Sequence, residues 1–81
     1  MARPVALSDS HPLMRWAEKN KKSREQTAYH FRVSYGVFRQ IITGHTNPSM
    51  ARSVEWEDLG RGAFTWDEVM WWHYENGKAA A

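Results

Sequence analysis

Apolar residues recur along the chain in short bursts at helical spacing, each opened by a residue suited to capping a helix. Leu13, Trp16 and Ala17 fall at i, i+3 and i+4, with Ser10 or Asp9 as the cap and Pro12 in the first turn. This spacing predicts a helix over residues 11–20. Ser23 precedes a second pattern carrying Ala28 and Phe31, over 24–31. Ser34 opens a third, with Phe38, Ile41 and Ile42 on one side and Gly44 as the residue that ends it. Pro48 introduces a fourth over 49–59, closing on Gly60 and Gly62. Within it the run EWED reads as an exposed side. Thr65 and Glu68 have the spacing of a capping box, and Asp67 and Glu68 suit the positive end of a helix over 66–75 that stops at Asn76-Gly77. No stretch alternates with period two, so no strand is expected.

The pattern therefore predicts an all-α, compact five-helix bundle. Residues 11–76 form its single domain, with flexible segments at 1–10 and 77–81. Such a chain, 81 residues long, buries only roughly 60% of the surface its unfolded form exposes, too little to enclose a deep catalytic cleft. Five Trp, three Tyr and three Phe must then be core or contact surface. There is no cysteine, so disulfides and thiolate metal sites are excluded. Residues 1–10 lack the apolar run of a signal peptide, and nowhere do about eighteen apolar residues follow one another. A soluble, cytoplasmic protein with no membrane partner is the expectation.

Charge divides the chain. Residues 1–52 hold nine Lys/Arg against three Asp/Glu, and residues 53–81 hold two against six. A front half with this excess attracts a polyanion, and the acidic rear faces away from it.

The segment SREQTAYHFRVSYGVFRQIITG, residues 23–44, places two short helices about a turn of three to four residues, the arrangement of a helix-turn-helix. It resembles the S-x-x-x-x-A-x-x-L-G-V-S-x-x-x-[VF]-x-x-[IW]-x-x-G pattern of the Cro/C1-type helix-turn-helix repressors. Ala28, Phe31, Val33, Ser34, Phe38, Ile41 and Gly44 stand at matching positions. NPSMARSVEWEDLGRGAFTWDEV is similar to the tail of small phage Cro-like repressors, so the likeness runs from about residue 13 to 69. Two positions depart from the pattern: Arg32 stands where the family has a left-handed Gly, and Thr27 where it has an aliphatic residue.

The resemblance implies a lambda-repressor-like fold and a sequence-specific double-stranded DNA-binding transcriptional regulator of the phage or prophage kind, repressing by operator occupancy. It implies base reading by Tyr35, Gly36, Arg39, Gln40 and Thr43 on the outer face of the third helix. Their chemistry suits base reading, since Arg39 can donate twice to a guanine edge and Gly36 lets the helix approach closely. Lys21, Lys22, Ser23, Arg24, Ser34 and His45 surround that face and are the candidate sugar-phosphate ligands, positioning the protein without specifying sequence.

Beyond these, the chain carries no Gly-rich phosphate loop and no nucleophile motif, so no enzyme activity and no cofactor are expected. His11, His30, His45 and His73 show no metal-ligand spacing, and no metal is expected. In WDEVMWWHYENG the apolar residues exceed one stripe. Trp66, Val69 and Trp71 are assigned to the core, and Met70, Trp72 and Tyr74 to a homodimer contact that would match a pseudo-palindromic operator. Two rival readings use the same scaffold. One is an antitoxin-type autoregulator that also binds a partner protein. The other is a protein-interaction module, such as an anti-repressor, that docks a partner through the aromatic C-terminal helix.

Overall fold

Each helix begins where a side chain can accept from an unpaired backbone amide. The computed structural model describes residues 7–77, and the outer parts of the two end segments lie outside them. A 3-10 turn, Leu7–Ser10, leads into α1 (Pro12–Lys19), α2 (Arg24–His30), α3 (Tyr35–Ile42), α4 (Met50–Leu59) and α5 (Trp66–Asn76). All the secondary structure among the described residues is helical. Ser23 accepts from the Gln26 amide while Gln26 accepts from the Ser23 amide, and Ser34 and Ser49 accept from Val37 and Arg52. At α5 the Glu68 carboxylate takes the larger share, accepting from the amide and the hydroxyl of Thr65 at 3.4 and 3.2 Å.

The first cap differs from expectation. It is His11, neither Ser10 nor Asp9: the His11 backbone is extended, and its Nδ1 accepts from the Leu13 amide at 3.1 Å. Proline disfavours the helical region for the residue before it, so Pro12 places the boundary at His11. Residues 7–10, expected to be loose, are ordered into the 3-10 turn. The Ser10 hydroxyl accepts from the Trp72 indole at 2.8 Å.

Four helices end alike. After α1, α2, α3 and α4 the third residue past the helix bonds back to the carbonyl five positions earlier, as in Lys22 to Ala17 and Val33 to Ala28, the Schellman closure. That closure needs one left-handed residue, supplied by Gly44 after α3 but by Lys21, Arg32 and Arg61 elsewhere. Arg32 therefore adopts the glycine-like conformation, with φ of 60°, and the turn does not relax around it. Left-handed backbone costs a non-glycine residue about 1–2 kcal/mol, offset by about 0.3–1 kcal/mol from a cation at a helix C-terminus. Arg32→Gly should accordingly raise the unfolding free energy by roughly 0.5–1 kcal/mol. A urea titration showing no gain would contradict this account of the turn.

The core comprises Leu13, Ala28, Phe31, Phe38, Ile41, Ile42, Trp56, Phe64 and Val69, with Met14, Trp16, Val33 and Leu59 packed on its margin. Burying each of the larger side chains stabilises by about 1.5–3 kcal/mol. Thr27 is also fully buried, and its hydroxyl is satisfied by donating to the Ser23 carbonyl at 2.7 Å. Trp16 lies half-buried, with its ring stacked on His30 at 4.5 Å.

Two aromatic assignments change. Trp56, in the run expected to face outward, is fully buried and donates its indole N–H to the Phe31 carbonyl at 2.9 Å. On α5, Val69 and Trp72 turn inward while Trp66 and Trp71 stay exposed. Helices α4 and α5 pack antiparallel: the Ser53 hydroxyl meets the Met70 sulfur, and the Glu57 carboxylate accepts from the Trp66 amide one turn further on.

Candidate functional site

Helix α3 divides cleanly. Phe38, Ile41 and Ile42 are buried, whereas Tyr35, Gly36, Arg39, Gln40 and Thr43 are all exposed. At 100° per residue these five positions fall within an arc of roughly 140°. They form one continuous outward face opposite the core.

That face is supported from below. The Tyr35 ring stacks on buried Phe38 with centroids 6.5 Å apart, and the Arg39 guanidinium lies 5.9 Å from the Tyr35 centroid. A cation over an aromatic face is held there by the ring's quadrupole, so the Arg39 arm rests on a stack rooted in the core. Gly36 faces open space: a β-carbon added there would meet no atom within 4 Å. Its lack of a side chain answers no crowding inside the fold and leaves the outer surface accessible.

The C-terminal end of the face is tied to the loop that follows. The Thr43 hydroxyl lies 2.7 Å from the Arg39 carbonyl and 2.8 Å from His45 Nδ1, and the Thr46 hydroxyl donates to Gln40 Oε1 at 3.4 Å. Asn47 reaches His73 on α5.

The six residues expected to hold a sugar-phosphate chain are exposed but fall in separate places. Lys21, Lys22, Ser23 and Arg24 cluster at the junction of α1 and α2, whereas Ser34 and His45 flank the two ends of α3. The hydroxyls of Ser23 and Ser34 already accept from helix amides, which leaves each one free to donate its own proton. An open groove runs beside this surface, lined by Lys22, Gln26, Tyr29, Arg32 and Val33. Tyr29, 87% exposed, was not expected here. The signal for it was present in the sequence, since Gln26, Tyr29 and Val33 recur at helical spacing away from Ala28.

The contact expected on α5 is only partly available. Trp72 is 7% exposed and hydrogen-bonded to Ser10, so it belongs to the core and offers no surface to a second chain. Met70 is half-buried against Ser53. Tyr74 is 69% exposed and stacks at 5.2 Å on Trp71, itself 60% exposed. Trp71, not Trp72, is the outward ring.

A pairing absent from the local pattern joins the ends of the fold. His11 Nε2 and His73 Nε2 lie 2.9 Å apart, 62 residues distant in sequence, both rings buried. The protons can be placed. His11 Nδ1 accepts from the Leu13 amide, so His11 carries its proton on Nε2 and donates to His73. His73 must then hold its proton on Nδ1, where Asn47 Oδ1 accepts at 3.2 Å. Both rings are neutral. Burial, then the facing His73 and Arg15, hold His11 well below the usual imidazole value, and burial lowers His73 to about 4. Among the described residues no three His, Cys, Asp or Glu side chains are grouped to hold a metal ion, and no helix is long and apolar enough to cross a membrane.

No protein-family model, curated protein or solved structure matches the chain. The outward face of α3 has to be read from its own chemistry.

Proposed function

We propose that the chain is a sequence-specific double-stranded DNA-binding transcriptional regulator of the helix-turn-helix, lambda-repressor-like kind. In this reading α2 braces α3, and α3 enters the major groove. The observation that carries it is the outer face of α3, where Tyr35, Arg39 and Gln40 are exposed on a helix whose other side is buried. A rigid helix with hydrogen-bonding side chains on one free face fits the major groove, which admits an α-helix and displays a distinct pattern for each base pair. The cationic front half favours the approach, and the Lys21–Arg24 cluster with Ser34 and His45 supplies backbone ligands. Repression follows from occupancy of an operator that overlaps a promoter, as the likeness to small phage Cro-like repressors implies. A second copy on a pseudo-palindromic site would meet through Tyr74 and Met70, with Trp71 in the role expected of Trp72.

The decisive variant is Arg39→Ala. On a duplex selected for tight binding it should cost about 1–3 kcal/mol, and on random duplex almost nothing, as measured by gel shift at fixed salt. Equal loss on both would make Arg39 a phosphate ligand and remove the basis for sequence reading.

The stacked, exposed Trp71 and Tyr74 favour a second reading, a module that docks a partner protein on α5. An antitoxin-type autoregulator would combine both surfaces. Co-purification with a partner that is lost on Trp71→Ala, with DNA binding unchanged, would support it.

A further inference from the structure

Resting on the reading of α3 as the groove-facing helix, the hydrogen bonds already made by its outer side chains restrict which bases it can accept. Thr43 decides this. Its Oγ1 lies 2.7 Å from the Arg39 carbonyl, 3.3 Å from the Gln40 carbonyl and 2.8 Å from His45 Nδ1. A hydroxyl has one proton and a carbonyl has none to give, so the proton must point to the Arg39 carbonyl. His45 Nδ1 must therefore carry its own proton and donate to Oγ1. Thr43 is exposed yet has no proton left to offer a base. What remains for an incoming ligand is its methyl group and one lone pair of the hydroxyl oxygen.

Gln40 is restricted in a related way. Its Oε1 accepts from the Thr46 hydroxyl, which leaves the amide N–H groups as its outward function. Bidentate pairing with adenine needs Oε1 to accept from the base amino group while the amide donates to N7, and an Oε1 that already takes the Thr46 proton has one lone pair left for it. Arg39 donates only. Along the centre of the face the side-chain donors are thus those of Arg39 and Gln40, followed by the methyl of Thr43, which has no proton to add.

Among the four bases, guanine presents two acceptors in the major groove, and thymine presents one acceptor beside a methyl. Adenine and cytosine both present an amino donor, which Arg39, with no acceptor of its own, would oppose. We propose that α3 reads guanine through Arg39 and recognises the 5-methyl group of a thymine through the methyl of Thr43. The Gln40 amide donates to an acceptor between them. Thr43 lies four residues beyond Arg39, about 6 Å along the helix axis. At about 3.4 Å per base step the thymine should fall within about two base pairs of the guanine.

The test begins with selection from a random duplex pool by the intact protein. Enriched sites should contain guanine with thymine within about two base pairs. That thymine is then replaced by deoxyuridine, which removes the methyl and alters nothing else in the groove. Binding should weaken about fourfold, the value of one buried methyl-sized group. Thr43→Ser, which keeps the hydroxyl and loses the methyl, should bind the two duplexes equally, while Thr43→Val should still prefer thymine. Equal binding of the thymine and deoxyuridine duplexes by the unaltered protein would overturn the inference and leave DNA reading in place. A pool that yields no enriched sequence would overturn the reading on which it rests.

Discussion

Trp56→Ala should leave the chain largely unfolded at room temperature, with the helical circular-dichroism signal lost and no cooperative melt. The indole is fully buried, faces Phe31 edge-on at 6.4 Å between centroids, and donates to the Phe31 carbonyl. Truncating a buried Trp costs about 3–5 kcal/mol through lost burial and the cavity left behind. Leaving the Phe31 carbonyl without its donor adds about 1–3 kcal/mol. A domain of this size has only about 4–12 kcal/mol of net stability, so the loss is comparable with the whole. Trp56→Phe bears mainly on the second effect, since it removes the donor and keeps most of the ring volume. It should fold, with a lower urea midpoint. An alanine variant melting within a few degrees of the parent would mean that Trp56 is not the centre of the core.

Acidification should destabilise the protein as the pH falls below about 6.5. His11 and His73 are held neutral in the fold, and both take up protons less readily there than in an unfolded chain. Above about pH 6.5 the rings are neutral in both states, and nothing is lost. As pH falls below that value the unfolded chain binds protons that the folded chain refuses. Stability then falls by up to about 1.4 kcal/mol per pH unit for each ring. For His73 the loss levels off near pH 4, where the folded ring also protonates. The geometry gives the reason: a second proton on His11 would meet the Leu13 amide, and one on His73 Nε2 would meet the His11 proton. Urea midpoints at about pH 7.5, 6 and 5 measure the slope, and His73→Gln should remove about half of it. A midpoint unchanged across that range would contradict the placement of the protons.

Helix positions were legible because their causes are local. Ser23 and Ser34 cap the helices they precede, and Gly44 ends α3 at a φ of 81°. The inward and outward sides of α3 were equally legible, since Phe38, Ile41 and Ile42 leave only one side for everything else. Helix α5 defeated the same reasoning. With Trp66, Val69, Met70, Trp71, Trp72 and Tyr74 distributed around it, no single apolar stripe exists. Which Trp turns inward was decided by what the indole could bond to, and Ser10, 62 residues away, receives Trp72. The buried His11 and His73 escaped for the same reason, because spacing along the chain carries no trace of a contact made between its two ends. On the outer face, residue types could be read from the sequence. The bonds that Thr43 and Gln40 make with His45 and Thr46 could not, and those bonds determine what remains to be offered.

The loop after α3 is fastened on both sides. Asn47 holds His73, a β-carbon on Gly44 would come within 2.9 Å of the Asn76 carbonyl, and one on Gly77 within 2.6 Å of Asn47. Two backbone segments pressed this closely leave no slack for a residue gained or lost. A lineage of such chains could therefore exchange the side chains at 35, 39, 40 and 43 and acquire new targets while the frame beneath stayed unaltered. Lengthening the loop by one residue would disturb α3 and α5 together, so diversification is confined to the helix surface.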